Sequence, residues 1–251
     1  MSTPLVVEAT DISLAYRLTR SRPGTFKEFA IQALRRQVQH EKLWALQNVT
    51  VKVAPGEVLG IIGPNGAGKS TLMKVIARVL PPTKGRAIIR GTVAAMIELG
   101  AGFNAEMTGQ ENVVLYGTLL GRDSASMVER VPAIAEWAGL EGFMDVPVRS
   151  YSSGMLARLG FAVATDVKPD LLVVDEVLSV GDAEFQQKSR TRIFEMIEAG
   201  TAVVLVSHNL SLVKEVSDRV MLLEHGRNRG TGSPIEIVDA SVSYTHLTLP
   251  T

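Results

Sequence analysis

"GPNGAGKST", Gly63 to Thr71, decides how the rest of the chain is read. It follows the apolar run LGII at 59–62 and opens into apolar residues at helical spacing, which puts it on a strand-to-helix turn. Glycine, four residues, then Gly68-Lys69-Ser70 is the spacing of a phosphate-binding loop. Gly63, Gly66 and Gly68, with Pro64, Asn65 and Ala67 between them, let backbone N–H groups converge on an anion with no Cβ in the way. Lys69 is expected to bridge a β- and a γ-phosphate and the Ser70 hydroxyl to ligate Mg2+, with Thr71 completing the set. A glycine-rich turn with no ligand would need neither the lysine nor the hydroxyl.

Such a loop needs an acidic partner on a neighbouring strand, and LLVVDE at 171–176 supplies one. Asp175 at the strand end suits the Mg2+ shell, and Glu176 is placed to orient or deprotonate an attacking water. Alone, an acidic pair there is often just a solvated strand end. The loop upstream gives it weight. AVVLVSH at 202–208 brings His208 to the same carboxyl edge, where open parallel sheets bind ligands and where a γ-phosphate would be read. RSYSSGMLARLGFAVA at 149–164 sets Tyr151, Ser152, Ser153 and Gly154 directly before a helical pattern. Its reading is open: a helix N-terminus aimed at an anion, or a serine N-cap on a core-facing helix.

VLGIIG (58–63), LLVVD (171–175), AVVLVSH (202–208) and RVMLLEHG (219–226) are near-continuous apolar runs, as in strands covered on both faces. Helical spacing at 69–79, 125–138, 154–167 and 184–199 alternates with them and predicts an α/β fold with a mainly parallel core sheet. VVEATDISLAY and ALQNVTVKVAPGEV alternate with a period near two, predicting a smaller antiparallel β piece. With 251 residues, 46% of them hydrophobic, the chain buries a substantial core. The balance of 26 basic and 26 acidic residues gives no global pull toward nucleic acid, and no nucleic-acid partner is expected. Zero cysteines exclude a disulfide scaffold and a cysteine-ligated metal. Met1–Glu8 lacks a basic region followed by an apolar one, and no run approaches the roughly 18 uncharged apolar residues of a membrane helix. Action at a membrane would require a partner that crosses it.

Taken in order, the phosphate loop, YSSGM, LLVVDE, SVGD and VSHN resemble the nucleotide-binding subunit of an ABC transporter over roughly residues 5–240. The resemblance implies a P-loop NTPase fold with an antiparallel β subdomain and an α-helical signature subdomain at about 100–165. It implies an ATPase using ATP and Mg2+ in a head-to-tail dimer. There Ser152, Ser153 and Gly154 of one copy face the nucleotide of the other, Ser152 donating and Gly154 permitting close approach. Asp182 in SVGD is implied as a further nucleotide contact. Tyr16 in LAYRL is implied as the aromatic that stacks on adenine, with a core or surface tyrosine as the alternative. Glu98 stands at or within one residue of the family's glutamine, which senses Mg2+ or the attacking water. Two positions depart from the family. Its usual signature is Leu-Ser-Gly-Gly-Gln, so Met155 removes the fifth-position amide, and a carboxylate at Glu98 changes charge and donor capacity.

Segment 17–42 is longer than the family's usual turn. Phe26, Phe29, Ala30, Ala33, Leu34 and Val38 predict an amphipathic helix at 26–39, and Arg17, Arg20, Arg22, Arg35 and Arg36 make the segment basic. It packs on its own domain or lies against the membrane surface or a transmembrane partner. With ELGAGFNAEMTGQEN and the signature stretch, it resembles the branch that exports O-antigen, teichoic acid or capsule. That branch implies two copies working at the cytoplasmic face of the cell membrane, driving a separate permease that moves a lipid-linked glycan. Residues between Glu98 and Tyr151 would contact the permease. The alternatives are an ABC ATPase for another export substrate and a soluble, non-transport ABC ATPase, although for the latter only one phosphate loop and no sustained heptads are present. A GTP-binding switch would need an NKxD segment, which is not visible. SVSYTHLTLPT at 241–251 resembles adaptor read-through, is expected to be non-native, and shows no helical continuation in its pattern.

Overall fold

A computed structural model describes residues 4–19, 40–97, 100, 102–175 and 182–247. The predicted helix at 26–39, Glu98 and Glu176 lie outside the described residues. Strands β1 (Val7–Thr19), β2 (His40–Val53), β3 (Val58–Ile62), β4 (Lys84–Ile89), β5 (Val93–Met96), β6 (Leu171–Asp175), β7 (Ala202–Val206), β8 (Arg219–Glu224) and β9 (Arg227–Gly232) form two sheets. The larger has the order β5-β6-β7-β3-β8-β9. Its pairings are parallel except β8–β9, which is antiparallel. Strands β3 and β7 are buried along their whole length because both faces are apolar and both are covered. Asp175 lies opposite Val206, and Val206 opposite Ile61. Register alone thus brings Gly63, Asp175 and His208 to one carboxyl edge.

The second sheet, order β2-β1-β4, is antiparallel. Tyr16 pairs with Leu43, Arg17 with Lys42 and Thr19 with His40, so both flanks of the basic segment prolong the β1–β2 hairpin. Helix α1 (Lys69–Ile76) lies between the sheets. Its Leu72, Met73 and Ile76 join Val7, Ile12, Leu46 and Val51 from one sheet and Leu59, Val173 and Val204 from the other in one core. Burying such a side chain stabilises by roughly 1.5–3 kcal/mol. The predicted helix ran to 79. It stops at Ile76, and Arg78 takes φ 61° and donates to the carbonyls of Ile89 and Gly91, which turns the chain toward β4 and β5.

Helices α2 (Gly109–Leu119), α3 (Ser124–Ala138) and α4 (Ser153–Thr165) share a separate cluster containing Val113, Tyr116, Met127, Ile134 and Leu159. Helix α2 was not anticipated, although Thr108 and Glu111 form a capping box that marks its start. Arg122 donates to the last-turn carbonyls of α4 at Val163 and Ala164 and lies 4.0 Å from Asp166, while Arg130 pairs with Asp166 at 2.6 Å. Cations thus complement the C-terminal end of α4 and bind it to α3. The opposite face of α4 presents Phe161 to Phe185 and Ile193 of α5 (Ala183–Glu198), above Leu172, Val174 and Val203. Trp137 stacks on Phe161 with ring centroids 5.3 Å apart.

Helices α6 (Leu210–Val216) and α7 (Pro234–Leu247) cover Ile62 and Val220 with Val213 and Val238. The expectation that no helix continues beyond 241 is corrected, since α7 runs to Leu247. Pro234 occupies its first position and Ser233 Oγ accepts from Glu236 N–H, so the helix is nucleated upstream and extension is cheap.

Candidate functional site

The phosphate loop is shaped by its glycines. Gly63, with φ 148°, sits against the Leu223 carbonyl with no room for a Cβ, and Gly68 (φ 101°) would bring one within 2.6 Å of the Ala45 carbonyl. Gly68 also stands where α1 would take a side-chain cap and has none, leaving the first-turn N–H groups open toward the loop's concavity. Lys69 is buried, and its Nζ donates to the carbonyls of Gly63 (2.8 Å) and Pro64 (3.1 Å). The ammonium is thereby held over the loop it serves.

A cleft of about 780 Å³ opens above this loop, lined by Asn65 through Thr71 and by Tyr16, Asp175 and His208, with Trp44, Gln47 and His225 among the rest. Four separately predicted pieces of sequence therefore meet: the loop, the first strand, the sixth and the end of the seventh. Tyr16 is 38% exposed and its hydroxyl lies 3.5 Å from Thr71 Oγ1, which excludes the core alternative and puts the residue on the wall of the cleft. Ser70 and Asp175 present hard oxygen donors in one cavity, the ligand type that Mg2+ takes. Among the described residues no cluster of three or more His, Cys, Asp or Glu could hold a metal, so such an ion would draw further oxygens from phosphate or water.

The serine-glycine stretch lies elsewhere. Ser152 and Ser153 are exposed, and neither they nor Gly154 lines the cleft. Ser152 caps α4, its Oγ accepting from Met155 N–H at 3.2 Å. The serine N-cap on a core-facing helix is met, and the start of that helix is exposed. Gly154 is the informative residue. Among the described residues a Cβ there would meet only Ser152 Oγ at 3.8 Å, and its φ is not positive, so none of them requires a glycine inside this helix.

An ABC transporter family model matches residues 46–179. The chain is 41% identical to an O-antigen export system ATP-binding protein, RfbB of Klebsiella pneumoniae, over 93% of this chain and 96% of that protein. It is 38% identical to the teichoic acids export ATP-binding protein TagH of Shouchella clausii, over 94% of this chain and 64% of the longer relative. The chain belongs to the ABC transporter family. Its fold is also that of the dimeric ATP-binding cassette MJ0796 in a post-hydrolysis state bound to ADP and Pi, with a TM-score of 0.71 at 20% identity over 91% of this chain and 98% of that one.

Three features of this ABC cassette were not anticipated. Asp182, implied as a nucleotide contact, is not in the cleft lining. It caps α5, its Oδ1 accepting from Phe185 N–H at 2.9 Å, and its other oxygen pairs with Arg158 of α4, because a helix start needs an acceptor there. Tyr151 is buried and donates its hydroxyl to the Phe143 carbonyl at 2.6 Å, pinning the signature to the helical cluster, while burial pushes its phenol pKa up. Gly226 fastens the β8–β9 turn to the loop, its N–H donating to Ala67 (2.9 Å) and its carbonyl accepting from Gln47 N–H (2.7 Å). A Gly after a strand-like run was the available signal for that turn.

Proposed function

We propose that this ABC ATPase powers export of a lipid-linked surface polysaccharide through a separate transmembrane permease, working as a head-to-tail pair at the cytoplasmic face of the cell membrane. The observation that carries this reading is near-full-length identity of 41% to an O-antigen export ATP-binding protein. No helix among the described residues is long and apolar enough to cross a membrane, which agrees with a division of labour between subunits.

Within one cleft, loop N–H groups of residues 66–71 and Lys69 hold the ATP phosphates, and Tyr16 supports the adenine. Ser70 and Asp175 would hold Mg2+, with Glu98 near it. When bound there, Mg2+ neutralises charge on the β- and γ-phosphate oxygens. Glu176 accepts the proton of the attacking water, and His208 steadies the γ-phosphate from the β7 edge. Ser152, Ser153 and Gly154 of the second copy close over that phosphate, a use for a glycine that no described residue of its own chain requires. The basic segment 17–42 reaches the membrane surface or the permease, and residues between Glu98 and Tyr151, especially 102–113, contact the permease. Residues 241–251 are outside the evolved sequence.

The test is complementation. Introduced with its neighbouring permease gene into a strain lacking its own O-antigen export ATPase and permease, the wild-type gene should restore surface glycan while Lys69→Ala should not. Restoration by Lys69→Ala, or robust ATPase activity from wild type with no copurifying membrane protein, would favour the soluble, non-transport alternative.

A further inference from the structure

The β8–β9 hairpin closes through His225 and Gly226, with Glu224 paired to Arg227. Both turn residues have positive φ, 48° and 71°, the two-residue pattern that matches strand twist and that Asn-Gly or Asp-Gly fits with least strain. Gly226 is required, since a Cβ there would come within 2.5 Å of the Ala45 carbonyl. His225 is tolerated. Histidine enters this region more often than most residues, but Asn does so with a short side chain that can bond locally. The turn therefore does not account for an imidazole.

Position does. The hydrogen bond from Gly226 to Ala67 is 2.9 Å long, and consecutive Cα atoms are about 3.8 Å apart, so the His225 backbone stands within roughly 7 Å of the loop. Its side chain is exposed and lines the same cleft as Gly66, Lys69 and Ser70. An imidazole spans the remaining distance to an anion held over those N–H groups.

We propose that His225 is a phosphate-binding residue of the nucleotide cleft, its protonated imidazole donating to the phosphate chain. This rests on the cleft's holding a nucleotide. Facing it are Lys69, Asp175, His208 and Tyr16 across the cavity; the cleft-lining β2 residues Leu43, Trp44, Ala45 and Gln47 carry no charge, and Lys42 lies just beyond them. On its own hairpin Glu224 pairs with Arg229 at 2.8 Å, and Arg227 donates to Gln47 Oε1 at 2.8 Å. The neighbouring charges on the hairpin are thus engaged elsewhere, and of the hairpin's titratable residues His225 is the one that lines the cleft. The contribution belongs to the charged form of the side chain, which lower pH favours.

The test compares wild type with His225→Asn, which suits the turn, by titrating a fluorescent mant-ADP probe at about pH 6 and about pH 8. Protonation changes common to the two proteins cancel in the ratio of their affinities. Wild type should bind about fivefold tighter than the variant at the lower pH and nearly equally at the higher, with the variant melting no earlier. An affinity ratio that does not change with pH overturns the assignment. If His225→Asn does melt early, His225→Gly takes its place, since glycine accepts the turn without strain. Wild type failing to bind mant-ADP at either pH would instead overturn the nucleotide cleft itself.

Discussion

Gly154→Ala separates what the chain needs from what a second copy needs. The residue is second in α4, its φ is not positive, and an added Cβ would meet only Ser152 Oγ at 3.8 Å, an ordinary van der Waals distance. Alanine is preferred over glycine in a helix by about 0.5–1 kcal/mol, so the nucleotide-free variant should be stabilised by that amount. For a domain of this size each 1 kcal/mol is worth about 2–4 °C, and the melting temperature should rise by roughly 1–4 °C. ATPase activity should move the other way. A methyl group standing between the signature and a partner's γ-phosphate displaces that contact by about an ångström, and misplacement on this scale costs about 10- to 100-fold. Differential scanning fluorimetry without nucleotide and ATPase activity over a range of protein concentrations read the two effects independently. A variant that melts higher and hydrolyses ATP at the wild-type rate would refute the trans role of Gly154. One that melts several degrees lower would refute the claim that its own chain leaves the position open.

Glu176→Gln should keep ATP binding and slow hydrolysis by about 10²–10⁴-fold, because the amide preserves shape and loses the basic oxygen; single-turnover kinetics with labelled ATP measure this, and an unchanged rate removes Glu176 from the chemistry. Tyr151→Phe leaves the Phe143 carbonyl without its buried donor and should cost about 1–3 kcal/mol, seen as a lower urea midpoint. Asp170 is held ionised by Thr92, whose N–H and Oγ1 donate to Oδ2 at 2.7 and 2.8 Å, and its pKa is lowered accordingly. A depressed carboxyl stabilises above its unfolded value and stops doing so as pH falls through its folded one. The melting difference between wild type and Asp170→Ala should therefore be widest near neutrality and close in acid; a gap that widens in acid would contradict the assignment.

How much of this molecule could be read from its residues depends on the range over which each requirement acts. The loop at 63–71 was legible because glycine, lysine and hydroxyl must stand a fixed few residues apart to surround one phosphate, so chemistry at the site is written as spacing. Strands β3, β6 and β7 were legible because burial on both faces leaves no position for a polar residue. Gln47 left no such mark, and Gly226 only that of a glycine after a strand-like run. They shape the loop through hydrogen bonds and a backbone approach that close only once β2 and β8 lie beside it. The anchoring role of Tyr151 left no mark for a related reason, since its burial and its hydrogen bond to the Phe143 carbonyl exist only once the helical cluster closes. Asp182 sits after a strand in a stretch the family uses for nucleotide, yet a residue that starts a helix has a local use for its carboxylate, and Arg158 takes the rest.

The two halves of the site show the limit most directly. Asp175 and His208 are separated by more than thirty positions in the chain and meet at one sheet edge, because strand register converts sequence distance into adjacency. Ser152 and Gly154 are nearer to Asp175 in sequence than His208 is, and they do not enter the same cleft. No register relates them to it, because a helical cluster with its own core carries them. In the proposed head-to-tail pair, a motif on that cluster is required to meet the cleft of the other copy. That requirement also accounts for an exposed helix start, a dispensable-looking glycine and an aromatic anchor two residues before the helix.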